Sequence, residues 1–174
     1  MTRRLGWILA AVAAAGGLTL MLRSLEAGLI YFPTREYEVL PRDVGLTAEE
    51  VSLESKGGAR LAGWWIRGEG RRALLYFHGN AGNASHRLER ARILVESLGL
   101  DVALVDYRGY GRSTGRPSEE GLYADGEAIW QAAAARGFGQ ERIVLFGESL
   151  GCAVAIETAI RRRPAAVILE TPFA

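Results

Sequence analysis

The stretch from Arg142 to Ile160 constrains this chain more than any other. Ile143 to Phe146 is a short β-branched and aromatic run of the kind buried in a parallel sheet, and Ala153 to Ile160 reads as an apolar helix. Between them stands Gly147-Glu148-Ser149-Leu150-Gly151, a G-x-S-x-G pattern at a strand-to-helix turn. In so tight a turn the strand and helix backbones nearly touch, so a Cβ at Gly147 or Gly151 would collide. Ser149 is therefore expected at the tip of the turn, its hydroxyl exposed above the positive end of the helix dipole. Leu150 falls in the first helical turn, where its N–H lacks an intrahelical partner and is a candidate donor to an oxyanion. A serine bracketed by glycines is also a common N-cap without chemistry. The rest of the chain favours the nucleophile.

Upstream, Glu50 to Glu54 and Leu61 to Arg67 read as an antiparallel hairpin around Ser55-Lys56-Gly57-Gly58. The pattern then alternates: strands at Ala73 to Phe77, Val102 to Asp106, Ile143 to Phe146 and Ala166 to Leu169, with helices at Ser85 to Leu98, Glu119 to Ala135 and Leu150 to Arg162. Short connections between alternating strands and helices predict an α/β fold with a mostly parallel sheet covered on both faces. Sites in such sheets gather at the carboxyl ends of strands.

Leu5 to Leu22 is an uncharged apolar run of 18 residues, preceded by Arg3 and Arg4 and followed by Arg23. As a helix it would cover roughly 27 Å against a bilayer core of about 30 Å. We expect an uncleaved single-pass membrane anchor within residues 1–28, the globular domain occupying residues 29–174. The competing reading is a cleaved signal peptide, for which Ala11 to Ala15 offers small residues, though the apolar run continues past them. In a bacterial cell the anchor would lie in the inner membrane, with a weak charge bias placing the domain outside. Leu29-Ile30-Tyr31-Phe32-Pro33 is expected to pack on the body or at the membrane interface. The net charge of +1 argues against nucleic acid as a partner. The single cysteine, Cys152, reads as a small core residue.

His78-Gly79-Asn80-Ala81-Gly82-Asn83 follows the first parallel strand, and its small residues let backbone amides face the serine turn. It lacks the lysine of a phosphate-binding loop. His78 is read as a brace for this loop and not as a general base; His86 is read as an exposed first-turn residue. Asp106 to Gly115 reads as a tightly folded pocket wall, in which Asp106 is read as pairing with Arg108 or capping local amides and not as a catalytic acid. Tyr123, Ala124 and Ile129 are expected to face inward from their helix. Arg161, Arg162 and Arg163 complement a helix C-terminus.

Four motifs, Tyr76 to Asn83, Val105 to Gly111, Ser118 to Asp125 and Leu145 to Gly151, together resemble the membrane-anchored α/β-hydrolase domain proteins of the bud-emergence type, a group close to the protein depalmitoylases. The resemblance spans about Leu29 to Ala174. It implies the α/β-hydrolase fold and a serine hydrolase acting on esters or thioesters, with Ser149 as nucleophile and Gly147 and Gly151 as elbow glycines. It further implies an oxyanion hole from the backbone N–H groups of Asn80 and Leu150, and a small acyl ester or thioester substrate, lipids and acylated proteins included. No cofactor or metal is expected. Glu170 stands where some members carry their acid. Such folds supply their triad in the order serine, acid, histidine. Only 25 residues follow Ser149 here, and none is histidine. We therefore expect this sequence to be the N-terminal part of a longer protein whose later units supply acid and base. A peptidase or amidase of the same fold, and a catalytically inactive membrane-anchored scaffold, remain open.

Overall fold

The computed structural model describes residues 12, 14, 16–18 and 28–172. The expected anchor, Leu5 to Leu22, lies mostly outside the described residues. Among those described, no helix is long and apolar enough to cross a membrane. The chain divides into two units, Met1–Phe32 and Pro33–Ala174. In the first, Leu29, Ile30 and Phe32 are exposed. The candidate site lies in the second.

The second unit is built on a six-stranded sheet. Its strands are β1 (Ala48–Ser55), β2 (Ala59–Ile66), β3 (Ala73–Phe77), β4 (Asp101–Val105), β5 (Ile143–Glu148) and β6 (Ala166–Glu170). Helices α1 (Leu88–Leu98), α2 (Glu119–Ala135) and α3 (Leu150–Arg162) follow β3, β4 and β5 in turn. The strand order is β1-β2-β4-β3-β5-β6. The first two strands form the expected antiparallel hairpin, Ala48 opposite Ile66 and Ser55 opposite Ala59, and β2 runs antiparallel to β4. The remaining pairings are parallel. This is the α/β architecture anticipated from the alternation of strands and helices.

Burial explains where each strand sits. All five residues of β3 are buried, as are all five of β4, because both lie inside the sheet with neighbours on either side. Leu74, Tyr76, Leu104 and Phe146 join Leu88 and Ala91 of α1 in one apolar cluster. The alternate residues Leu75, Phe77, Ala103 and Leu145 are buried as well. They point to the opposite face, where a Cβ on Gly126 of α2 would lie 3.7 Å from Phe77. With each buried Leu or Phe contributing about 1.5–3 kcal/mol, this double-faced burial fixes β3 and β4 as the centre. At the far edge β6 has one neighbour, and Val167, Ile168 and Leu169 remain 38–44% exposed.

Two local expectations are corrected. The segment predicted to begin a helix at Ser85 starts as a 3-10 turn, Ala84–Arg87, before α1. Asn83 accounts for it: its Oδ1 accepts the Ser85 N–H at 2.9 Å and tightens the first turn. On α2 the inward face is Leu122, Asp125, Ile129 and Ala133, at helical spacing. Ile129 faces in as predicted, but Tyr123 and Ala124 sit half-buried one step round the helix, lining a groove of about 730 Å³ shared with Ser52 and Glu54 of β1.

Candidate active site

The carboxyl end of β5 passes into α3 through a single residue, Ser149. Its backbone has φ 51° and ψ −114°, a region that non-glycine residues rarely enter. Such a conformation costs about 1–3 kcal/mol and persists where the surroundings enforce it. Here they do. The Ser149 N–H donates to the Glu170 carbonyl at 2.8 Å, and the Ser149 carbonyl accepts from the Cys152 N–H at 2.9 Å. A Cβ on Gly147 would stand 2.7 Å from Cys152 Cα, and one on Gly151 would stand 2.0 Å from the Phe77 carbonyl oxygen. The inferred approach of strand and helix is found at Gly147, whereas at Gly151 the backbone that leaves no room is the end of the neighbouring strand β3.

The hydroxyl of Ser149 makes no capping hydrogen bond to α3. Ser118, at the start of α2, shows the contrast: it is extended (φ −159°, ψ 156°) and its Oγ accepts the Gly121 N–H at 3.2 Å. Ser149 is therefore not an N-cap of the ordinary kind. Leu150 follows as the first residue of α3, and both are partly exposed. Cys152 is buried, its thiol donating to the Gly147 carbonyl at 3.1 Å, and burial pushes its pKa up. That environment suits a packing residue.

The loop that follows β3 lies against this turn: a Cβ on Gly79 would come 3.6 Å from the Glu148 carbonyl oxygen. Asn83 ties the loop's far end, its Nδ2 donating to Thr34 Oγ1 at 2.9 Å and to the Glu36 carbonyl at 2.7 Å. Tyr110 donates its hydroxyl to the Asn80 carbonyl at 2.9 Å, and Tyr107 donates to the His78 carbonyl at 3.0 Å. His78 is fully buried between these tyrosines, with ring centroids at 4.4 and 5.4 Å. Its Nδ1 donates to the Gly79 carbonyl at 2.8 Å, so Nδ1 carries a proton. Its Nε2 lies 3.3 Å from Asp106 Oδ1 but makes no hydrogen bond. His78 braces the loop, as the sequence suggested. His86 is exposed, with Nε2 3.3 Å from Glu38 Oε1.

Asp106 is buried and caps amides, as one of its two readings held. It accepts the Ala84 N–H at 2.8 Å and the Tyr37 hydroxyl at 2.7 Å; burial and the neighbouring carboxylate raise the pKa of Tyr37. The proposed pairing with Arg108 is corrected. Arg108 instead engages buried Asp125 of α2 through Nη2 at 2.8 Å and Nε at 3.1 Å, because the loop turns its side chain away from β4 toward that helix. Glu170 sends its carboxylate to Arg90 of α1, while its carbonyl holds the Ser149 amide.

One group that sequence reasoning missed stands beside the serine. Glu148 Oε1 accepts from Arg87 Nη2 at 3.0 Å, and Oε2 accepts the Tyr76 hydroxyl at 2.8 Å. Burial alone would raise the Glu148 pKa, but the bonds from Arg87 and Tyr76 outweigh it and hold the carboxyl below its ordinary value. Among the described residues no three histidine, cysteine or acidic side chains converge as metal ligands.

Residues 68–174 match the model of the hydrolase family described as serine aminopeptidase, S33. The chain belongs to this alpha/beta-hydrolase family. A protein of Mycobacterium tuberculosis is 41% identical over 163 residues, covering 91% of this chain and 58% of that protein. The bem46 protein of Schizosaccharomyces pombe is 36% identical over 164 residues, covering 87% of this chain and 55% of its own. That match bears out the resemblance to the bud-emergence type. The crystal structure of an alpha-beta hydrolase from Vibrio vulnificus superposes with a TM-score of 0.63 at 28% identity, covering 72% of this chain and 45% of that one. The chain thus spans a little over half the length of the curated relatives it matches.

Proposed function

We propose that the full-length protein is a membrane-tethered serine hydrolase that cleaves a carboxylic ester or thioester through an acyl-Ser149 intermediate. The observation that carries this reading is the backbone of Ser149, held at φ 51° with a hydroxyl that does not cap its helix. In the proposed cycle Ser149 Oγ attacks the substrate carbonyl and gives up its proton to a base. The resulting oxyanion is met by the N–H groups of Leu150, in the first turn of α3, and Asn80, in the loop that lies against the turn. Collapse expels the alcohol or thiol and leaves acyl-Ser149, which water then hydrolyses. The match covers 58% and 55% of two relatives, and the base and acid are assigned to the length those relatives have outside it. The substrate is an acyl ester or thioester of a small molecule, lipid or acylated protein.

A fluorophosphonate probe tests this directly. The full-length protein should be labelled and its Ser149→Ala variant should not; equal labelling of the two would sink the assignment. Absence of labelling in both would favour an inactive membrane-anchored scaffold. The description of the matching family as a serine aminopeptidase favours a second reading, amide cleavage from a peptide N-terminus. Comparing a p-nitrophenyl ester with an aminoacyl p-nitroanilide separates the two, and we expect the ester to be the faster by at least tenfold.

A further inference from the structure

The side chain of Glu148 is bonded to a residue on the far side of the oxyanion loop. Arg87 ends the 3-10 turn that follows the loop, and Glu148 is covalently next to Ser149. Their contact is two-pronged, Nη2 to Oε1 at 3.0 Å and Nε to Oε2 at 3.4 Å, with Tyr76 from β3 holding Oε2 from beneath. The side chains are 16% and 23% exposed, so the pair is largely withdrawn from water. The loop rests upon it. A Cβ on Gly79 would lie 3.1 Å from Glu148 Oε1 and 3.3 Å from Arg87 Nη2, and one on Gly82 would lie 3.3 Å from Arg87 Nη1.

We infer that the Glu148–Arg87 pair is a positioning clamp that sets the height of the Gly79–Asn80 backbone relative to the serine turn, and so the separation of the two oxyanion donors. The inference rests on the proposed hydrolase reading. One donor, Leu150, belongs to the helix, and the other, Asn80, to the loop, so their spacing is set by whatever joins helix to loop. A fixed ion pair with two prongs defines both distance and orientation, which a single apolar contact would not. Transition-state donors must sit within a few tenths of an ångström of the developing charge, whereas ground-state binding tolerates more. The clamp therefore acts on kcat. Burial works against the Glu148 charge, but the bonds from Arg87 and Tyr76 hold the carboxyl below its ordinary value, so the pair stays charged at neutral pH.

The test uses the full-length protein with p-nitrophenyl butyrate as probe substrate. Glu148→Gln and Arg87→Met should each lower kcat about 10- to 100-fold with KM held within about twofold, as expected for displaced transition-state donors. The double variant should be no slower than the worse single one, because either change opens the same clamp. Arg87→Lys keeps the charge and loses the second prong; it should fall between wild type and Arg87→Met, and it carries the test if Arg87→Met does not fold. Unchanged kcat in folded variants, a loss carried by KM, or additive losses in the double variant would overturn the clamp. If wild type neither turns over the ester nor takes a fluorophosphonate at Ser149, the hydrolase reading falls and the clamp with it. A labelled wild type with unaffected variants removes the clamp alone.

Discussion

Ser149 holds a backbone conformation worth about 1–3 kcal/mol of strain, and the atoms that enforce it are backbone atoms. Of these, the contact at Gly151 is the tightest, since its would-be Cβ meets the Phe77 carbonyl at 2.0 Å and the His78 carbonyl at 2.9 Å. Neither neighbour is a flexible side chain that could swing away. Gly151→Ala must therefore push α3 off the end of β3, and we expect a loss of about 3 kcal/mol in urea unfolding together with at least tenfold slower fluorophosphonate labelling. Retained stability and labelling would mean that the turn is softer than its geometry implies. The requirement for glycine here was legible from the G-x-S-x-G spacing at a strand-to-helix turn, although the atoms that impose it at Gly151, the Phe77 and His78 carbonyls, belong to the end of β3 and the loop after it. The Glu148–Arg87 pair was not, because its members lie 61 residues apart and meet through a parallel strand pairing that no periodicity reveals.

At the level of elements, the loop after β4 shows what a sequence reading can and cannot reach. Strands β3 and β4 and helices α2 and α3 were visible from their apolar runs, since burial leaves a continuous hydrophobic signature. The partner of Arg108 was not visible. Asp106 lies two residues away in the chain, yet it is turned to the Ala84 amide and to Tyr37, while Asp125, 17 residues on, receives the guanidinium. Charge partners are set by the direction in which a loop leaves its strand. Because Asp125 is fully buried and also accepts the Arg108 N–H at 2.8 Å, it fastens the start of α2 to the pocket wall. Asp125→Ala leaves the largely buried Arg108 without its counter-charge, so we expect a loss of about 3–5 kcal/mol in thermal or urea unfolding. A loss below 1 kcal/mol would show that Arg108 finds water or the Lys56 carbonyl, 3.0 Å from its Nη2, as a sufficient substitute.

For the whole molecule, the open question is how a hydrolase domain is delivered to its substrate. The run Leu5 to Leu22 carries no charge over 18 residues. Each charge placed in a bilayer core costs about 2.5–3.5 kcal/mol on insertion scales, so an uncharged run of this length would avoid the main cost of insertion. Arginines at both ends suit the polar headgroup regions and would hold the segment in register across a bilayer. If the segment is a retained anchor, full-length protein should pellet with membranes and resist extraction by high salt and alkaline carbonate. The same protein lacking residues 1–28 should stay in the supernatant yet label with fluorophosphonate at the full-length rate, because Ser149 and its supports all belong to the unit Pro33–Ala174. A cleaved leader gives a different outcome: soluble protein from the full-length gene, with an intact mass short of the N-terminal residues. A tether matters to the chemistry only through substrate concentration, since acyl chains partition into membranes by about 0.8 kcal/mol per methylene. Detached enzyme should accordingly keep its rate on a short soluble ester such as p-nitrophenyl butyrate. It should lose activity on a long-chain ester presented in vesicles, and equal loss on both would show that residues 1–28 support the fold and not the location.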